Sequence, residues 1–194
     1  MNFFTVGFLL ANLQLDLGLW VGYAIKLAGA LFMFFGIAET ALVNESVKAL
    51  RPAAILFAVL SAGSAAAVKL LSAEKLSESG DAHKTVSIIC GVLTTAAAGW
   101  FFVQLLRLLR DEPSIADNVP EVNRLVPKYS RMLFVLAVVL TADGINRFTG
   151  GTAAADVMGV VMYFTKIISY VYLLICTLSF NKLRISFNSA HPAE

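Results

Sequence analysis

Charge is scarce in this chain. Only 14% of its 194 residues are Asp, Glu, Lys or Arg, where a soluble domain carries roughly a quarter. That scarcity excludes an ordinary water-soluble enzyme. The 58% apolar content excludes a disordered chain, which needs low hydrophobicity and high net charge. A net charge of +2 offers no basic surface, so no nucleic-acid partner is expected. Two cysteines, Cys90 and Cys176, make neither a disulfide framework nor a zinc cluster. Histidine is limited to His83 and His191, both outside the long apolar stretches, so buried bis-histidine haem ligation has no basis. There is no phosphate-cradling glycine loop or paired metal motif either. No cofactor and no metal are expected.

What is abundant is apolar sequence, with a mean hydropathy of +0.77. A hydrocarbon core of about 30 Å needs about 20 helical residues. Five stretches reach that length, at 18–43, 52–71, 86–109, 129–148 and 153–180. They are rich in Leu and Ala and show no repeated short alternation, which argues against a β-barrel. The expected fold is an all-α integral membrane protein, a bundle of five transmembrane helices. Pro52 sits where a first helical turn tolerates it. Gly150 and Gly151 break the chain between the last two spans. The 110–128 stretch, with Pro113, Pro120 and Pro127 among mixed charges, reads as the longest loop and a candidate cytoplasmic docking surface. There is no internal repeat, and five spans cannot divide into the equal halves of many transporters.

The segment 1–16 is apolar from Phe3 to Leu15 but too short to span, about 20 Å at helical rise. Asn2, Thr5, Asn12 and Asp16 share one side of a helical wheel, so an interfacial helix lying on the bilayer surface is expected. It has no basic n-region and no clear small-residue cleavage site, so it does not read as a signal peptide. With five spans, nine basic residues fall on one side: Lys48, Arg51, Arg107, Arg110, Arg124, Lys128, Arg131, Lys182 and Arg184. Four fall on the other: Lys69, Lys75, Lys84 and Arg147. The positive-inside rule then predicts a plasma (inner) membrane protein with its N-terminus outside and a cytoplasmic tail at 182–194.

Two patterns inside the spans bear on function. Gly18, Gly22, Gly29 and Gly36 form a stripe along the first span, and Gly91 and Gly99 mark the third. Small residues let helix backbones approach closely, so these are read as helix-packing positions. The second pattern is ionisable. Lys26 lies in the first span. Asp143, Asn146 and Arg147 share a face of the fourth. In the fifth, Lys166 is accompanied by Asp156, Gly159, Tyr163, Tyr170 and Thr177. Charges at depth cost about 2.5–3.5 kcal/mol each on an insertion scale, so they pair or line a cavity. From depth alone, Lys26, Asp143 and Lys166 are expected to meet in the outer half of the bundle as a transport or ligand site. A structural ion pair fixing helix register and a snorkelling Lys26 are the competing readings.

His83 and Cys90, seven residues apart and preceded by Gly80, resemble the His and Cys pair of the Agr-type membrane-embedded peptidases that process quorum-sensing peptides. The resemblance implies a cysteine peptidase with His83 and Cys90 as the catalytic pair. The glycine pair before the histidine and the later lysine-proline segment of that family are missing here.

Together these residues point to a polytopic protein that binds or moves a small solute or ion through a polar intramembrane site. A non-catalytic membrane subunit or scaffold is the alternative. The partners expected are the lipid bilayer, further copies of the chain, or other membrane proteins.

Overall fold

The computed structural model describes residues 1–13, 19–43, 45–73, 81–111, 119–148 and 153–190. Among them the only regular structure is helical: α1 (Asn2–Asn12), α2 (Leu19–Ala41), a 3-10 turn (Glu45–Leu50), α3 (Arg51–Ala73), α4 (Asp81–Asp111), α5 (Val119–Phe148) and α6 (Ala153–Ala190). Five of the helices are long and apolar enough to cross a membrane. The all-α bundle read from the sequence is therefore the fold. Each of α2 to α6 packs against its neighbours in chain order, and α1 fills the middle, touching α2, α4 and α6.

Several boundaries move outward from those expected. α5 begins at Val119, inside what reads as a loop. Val122, Leu125, Tyr129 and Met132 recur at helical spacing and are all buried, so core packing carries the helix through the polar residues between them. Pro120 sits in the first turn, where it removes no intrahelical hydrogen bond, while Pro127 lies in the helix interior. The remaining loop residues, 112–118, lie outside the described ones, and with them the centre of the expected docking surface. The expected tail is also mostly helix, because the stripe Cys176, Phe180, Leu183 and Phe187 continues the buried face of α6 towards Ala190.

α1, expected as a helix lying on the bilayer surface, is packed into the bundle, running antiparallel along the C-terminal half of α2. Phe4, Phe8 and Ala11 are buried, and its exposed large apolar side chains are Phe3, Val6 and Leu9. The Phe8 ring stands 4.9 Å from Phe102 of α4, 5.5 Å from Tyr129 of α5 and 5.4 Å from Phe180 of α6. One side chain thus ties three spans together. The polar side seen on the helical wheel has a different use. Glu39 of α2 caps the start of α1, accepting hydrogen bonds from the Asn2 side chain at 2.9 Å and the Phe3 backbone N–H at 3.3 Å. A carboxylate there satisfies otherwise unpaired N–H groups and complements the helix dipole. The Met1 amine also pairs with Glu39, at 3.1 Å. Asn12 at the other end donates to its own helix at the Phe8 carbonyl, 2.9 Å away.

This seating brings Met1 to the same end of the bundle as the close of α6, where the Asn188 amide donates to Asn2 Oδ1 at 3.2 Å. α1 reaches only part of the way along α2, starting from the end where α2 finishes.

Candidate functional site

The glycine stripe of α2 is the seat of α1. A Cβ at Gly29 would stand 2.9 Å from the Ala11 backbone nitrogen, and one at Gly36 would stand 2.6 Å from the Phe4 ring. Gly7 of α1 faces back onto the Gly29 carbonyl and Met33. Gly22 is partly buried, and Gly18 lies outside the described residues. On α4, Gly91 lies against Leu140 of α5 with the Tyr23 hydroxyl close by, and Gly99 lies against Leu133.

Beyond the reach of α1, α2 and α4 have no extended backbone contact, and long side chains bridge them. Tyr23 donates its hydroxyl proton to the Ser87 carbonyl at 2.9 Å. One turn along, Lys26 is buried and extends to α4, where its ammonium donates to Thr94 Oγ1 at 3.1 Å and lies 3.5 Å from Thr95 Oγ1. The Tyr23 ring centroid is 5.7 Å from the same nitrogen, a distance at which an aromatic face attracts a cation. Among the described residues no carboxylate lies within ion-pair distance of Lys26. Its burial removes the snorkelling reading, since a snorkelling lysine keeps its head in water.

The two hydroxyls differ. Thr94 returns its proton to its own helix, donating to the Cys90 carbonyl at 2.8 Å. Thr95 only accepts, from Lys26, and among the described residues its hydroxyl proton has no acceptor. The site therefore holds an ammonium with three hydrogens and two hydroxyl partners, beside a hydroxyl with a proton to give. Chemically this arrangement suits an anion.

The expected trio is not assembled around Lys26. Asp143 and Lys166 are on α5 and α6, helices that pack along each other, and both side chains are half-buried with interactions of their own. Lys26 belongs to α2, which packs on α1, α3 and the 3-10 turn. Asn146 is half-buried, while Asp156, Tyr163 and Tyr170 are exposed on α6, and the Arg147 side chain is not among those described. Each residue's place along its own helix was legible from the sequence. Position around the bundle was not.

His83 and Cys90 both fall within the single helix α4. At 1.5 Å rise per residue they are separated by about 10.5 Å along the axis, too far for the hydrogen bond that a Cys–His pair needs. The helix starts earlier than expected and so buries His83, whose two ring nitrogens have no hydrogen-bond partner among the described residues. No group of three or more metal-ligating side chains occurs among the described residues.

One feature escaped the sequence reading. Between α4 and α5 runs an apolar groove of about 960 Å³, walled by Val92, Thr95, Ala96, Gly99 and Trp100 on one side and by Leu133, Ala137, Leu140 and Thr141 among others on the opposite side. Its Thr95 is the residue that touches Lys26. The small residues Ala96, Gly99 and Gly144 were the available signal, because a helix face without bulk leaves space as readily as it admits a neighbour.

Compared with protein families, with curated proteins and with solved structures, this chain matches none.

Proposed function

We propose that this membrane protein binds an anion at the Lys26 ammonium, between Thr94 and Thr95, as the core of a solute-binding or transport activity. The observation that supports it is a buried ammonium whose described partners are neutral hydroxyls. Burying an ammonium is costly unless opposite charge or strong hydrogen bonding compensates it. A bound anion supplies both, and its hydrogen bonds to a cation are roughly twice as strong as neutral ones. Asp143 and Lys166, on the neighbouring α5 and α6, take the second reading of the sequence: a pair that fixes the register of those helices. The test is thermal stabilisation of the purified protein by chloride, nitrate and acetate at constant ionic strength. Stabilisation that disappears in Lys26→Met supports the site, and equal responses in parent and variant overturn it.

The end of the bundle that carries Lys48, Arg51, Arg107, Arg110, Arg124, Lys128, Arg131, Lys182 and Arg184 faces the cytoplasm in this proposal, with Met1 on that same side. The runner-up, a non-catalytic subunit, draws on α6. Its face bearing Val157, Val160, Phe164, Val171, Leu174 and Leu178 is uncovered and would pack against α6 of a second copy. A monomeric mass in mild detergent removes that reading.

A further inference from the structure

We infer that the ligand is a single-chain amphiphile ending in a carboxylate, with its head at Thr95 and Lys26 and its chain in the groove between α4 and α5. This rests on the anion-binding reading of Lys26 and names the class of anion. Three observations converge on it.

The groove and the cation share a residue. Thr95 forms part of the groove wall while its hydroxyl oxygen lies 3.5 Å from Lys26 Nζ. A carboxylate entering along the groove meets first the unspent Thr95 proton and then the ammonium behind it. The other hydroxyl of the groove, on Thr141, is already committed to the Ala137 carbonyl at 2.8 Å. Thr95 is therefore the polar point at which a head group is received.

The walls suit a chain. They are aliphatic and aromatic apart from those hydroxyls, and a volume of about 960 Å³ lies at the upper end of the range for small-molecule sites. Thr95 divides the α4 wall into two arms, towards Ile88 and towards Val103. They measure about 10 and 12 Å at helical rise. Each receives the part of an extended alkyl chain nearest the head, and the rest of a longer chain runs on among the lipid tails.

Depth selects one source of carboxylate. Thr95 is about 20 Å of helix from Ala82 and about 24 Å from Asp111, the two ends of this span. A diacyl lipid keeps its ionised head at the interface, because carrying that charge to mid-depth is costly. A fatty acid reaches the same depth as the neutral carboxylic acid. The acid then releases its proton to solvent, and the resulting carboxylate pairs with the Lys26 ammonium, so the lone buried cation becomes a pair of no net charge.

The experiment uses the reporter already in the groove. The chain has two tryptophans, Trp20 and Trp100, and Trp20→Phe leaves Trp100 alone on the groove wall. The protein in nanodiscs of unbrominated zwitterionic lipid is titrated with dibromostearic acid, whose bromines quench tryptophan at contact, and in parallel with its methyl ester. Saturable quenching is expected, with the acid at least tenfold tighter than the ester. Lys26→Met should bring acid and ester together. Thr95→Val, which keeps the side-chain shape, should narrow the gap without disturbing the fold. Ala137→Phe, on an exposed position of the wall, should weaken the acid by filling the groove. Equal quenching by acid and ester in the parent overturns the inference and leaves an ordinary lipid-facing groove. Acetate stabilisation that depends on Lys26, with dibromostearic acid failing to displace it, overturns the chain while the anion site stands. If Lys26→Met and Thr95→Val both retain the parent's preference for acid, the inference and the anion reading fall together.

Discussion

Replacing Gly29 by alanine adds one methyl group, and the structure says where it goes. The new Cβ stands 2.9 Å from the Ala11 backbone nitrogen and 3.3 Å from the Ala11 Cα. Backbone cannot rotate out of the way as a side chain can, so α1 must move off α2. That movement disturbs Phe8, which is stacked at 5.4 Å on Phe180 and edge-on at 4.9 Å to Phe102. Overpacking of a close-fitting interior costs about 1–3 kcal/mol. Alanine also returns up to about 1 kcal/mol of helix propensity. The matched control is Gly63→Ala in α3, where a Cβ meets nothing within 4 Å, so only the favourable contribution remains. The two alanine variants should therefore differ by about 1–3 kcal/mol. At 2 kcal/mol that corresponds to a Tm separation of roughly 4–8 °C in a protein of this size. The assay is thermal unfolding of both variants in one detergent, followed by loss of monodisperse protein. A second measurement locates the damage: Ala11→Cys, in a chain with Cys90 and Cys176 replaced by serine, should resist maleimide in membranes and become reactive when Gly29→Ala is added. Equal stability of Gly29→Ala and Gly63→Ala, with Ala11→Cys reactive in both backgrounds, would refute the seating of α1.

Other outcomes follow from the same structure. Because Lys26 and Asp143 belong to helices without extended contact, Lys26→Met and Asp143→Asn should be additive in stability within about 0.3–0.5 kcal/mol; a larger coupling in chemical denaturation of the double variant would mean that the two charges meet. Phe8→Ala empties the junction of α1 with three spans and should lower stability by about 3–5 kcal/mol, against less than 0.5 kcal/mol for Val6→Ala on the exposed side of the same helix. Single cysteines at Ala82 and Ser189, exposed near opposite ends of the bundle, should label differently with an impermeant reagent: Ala82→Cys in intact cells, Ser189→Cys only after permeabilisation. The reverse pattern inverts the proposed orientation.

Apolar length and small-residue spacing were enough to read five helical spans and the packing role of Gly29, Gly36, Gly91 and Gly99. Both are properties of single helices, and the bilayer demands them of each span separately. Helix ends were less legible. The starts of α4 and α5 and the close of α6 carry polar residues between buried ones, and only the neighbours that cover Val122, Leu183 and Phe187 make those turns worth forming. The seating of α1 was out of reach for a sharper reason. An apolar segment too short to span fits the bilayer surface on its own merits. What draws it inward is a glycine groove on α2, an aromatic cavity built by α4, α5 and α6, and the Glu39 carboxylate capping its first turn. The charged residues show the same division. Rise along each helix gives the position of Lys26, Asp143 and Lys166 within their own spans, but which of them share a neighbourhood depends on the order of helices around the bundle. Periodicity within one helix holds no information about the angle at which another helix approaches. That order gave Lys26 to Thr94 and Thr95, and left Asp143 and Lys166 to α5 and α6.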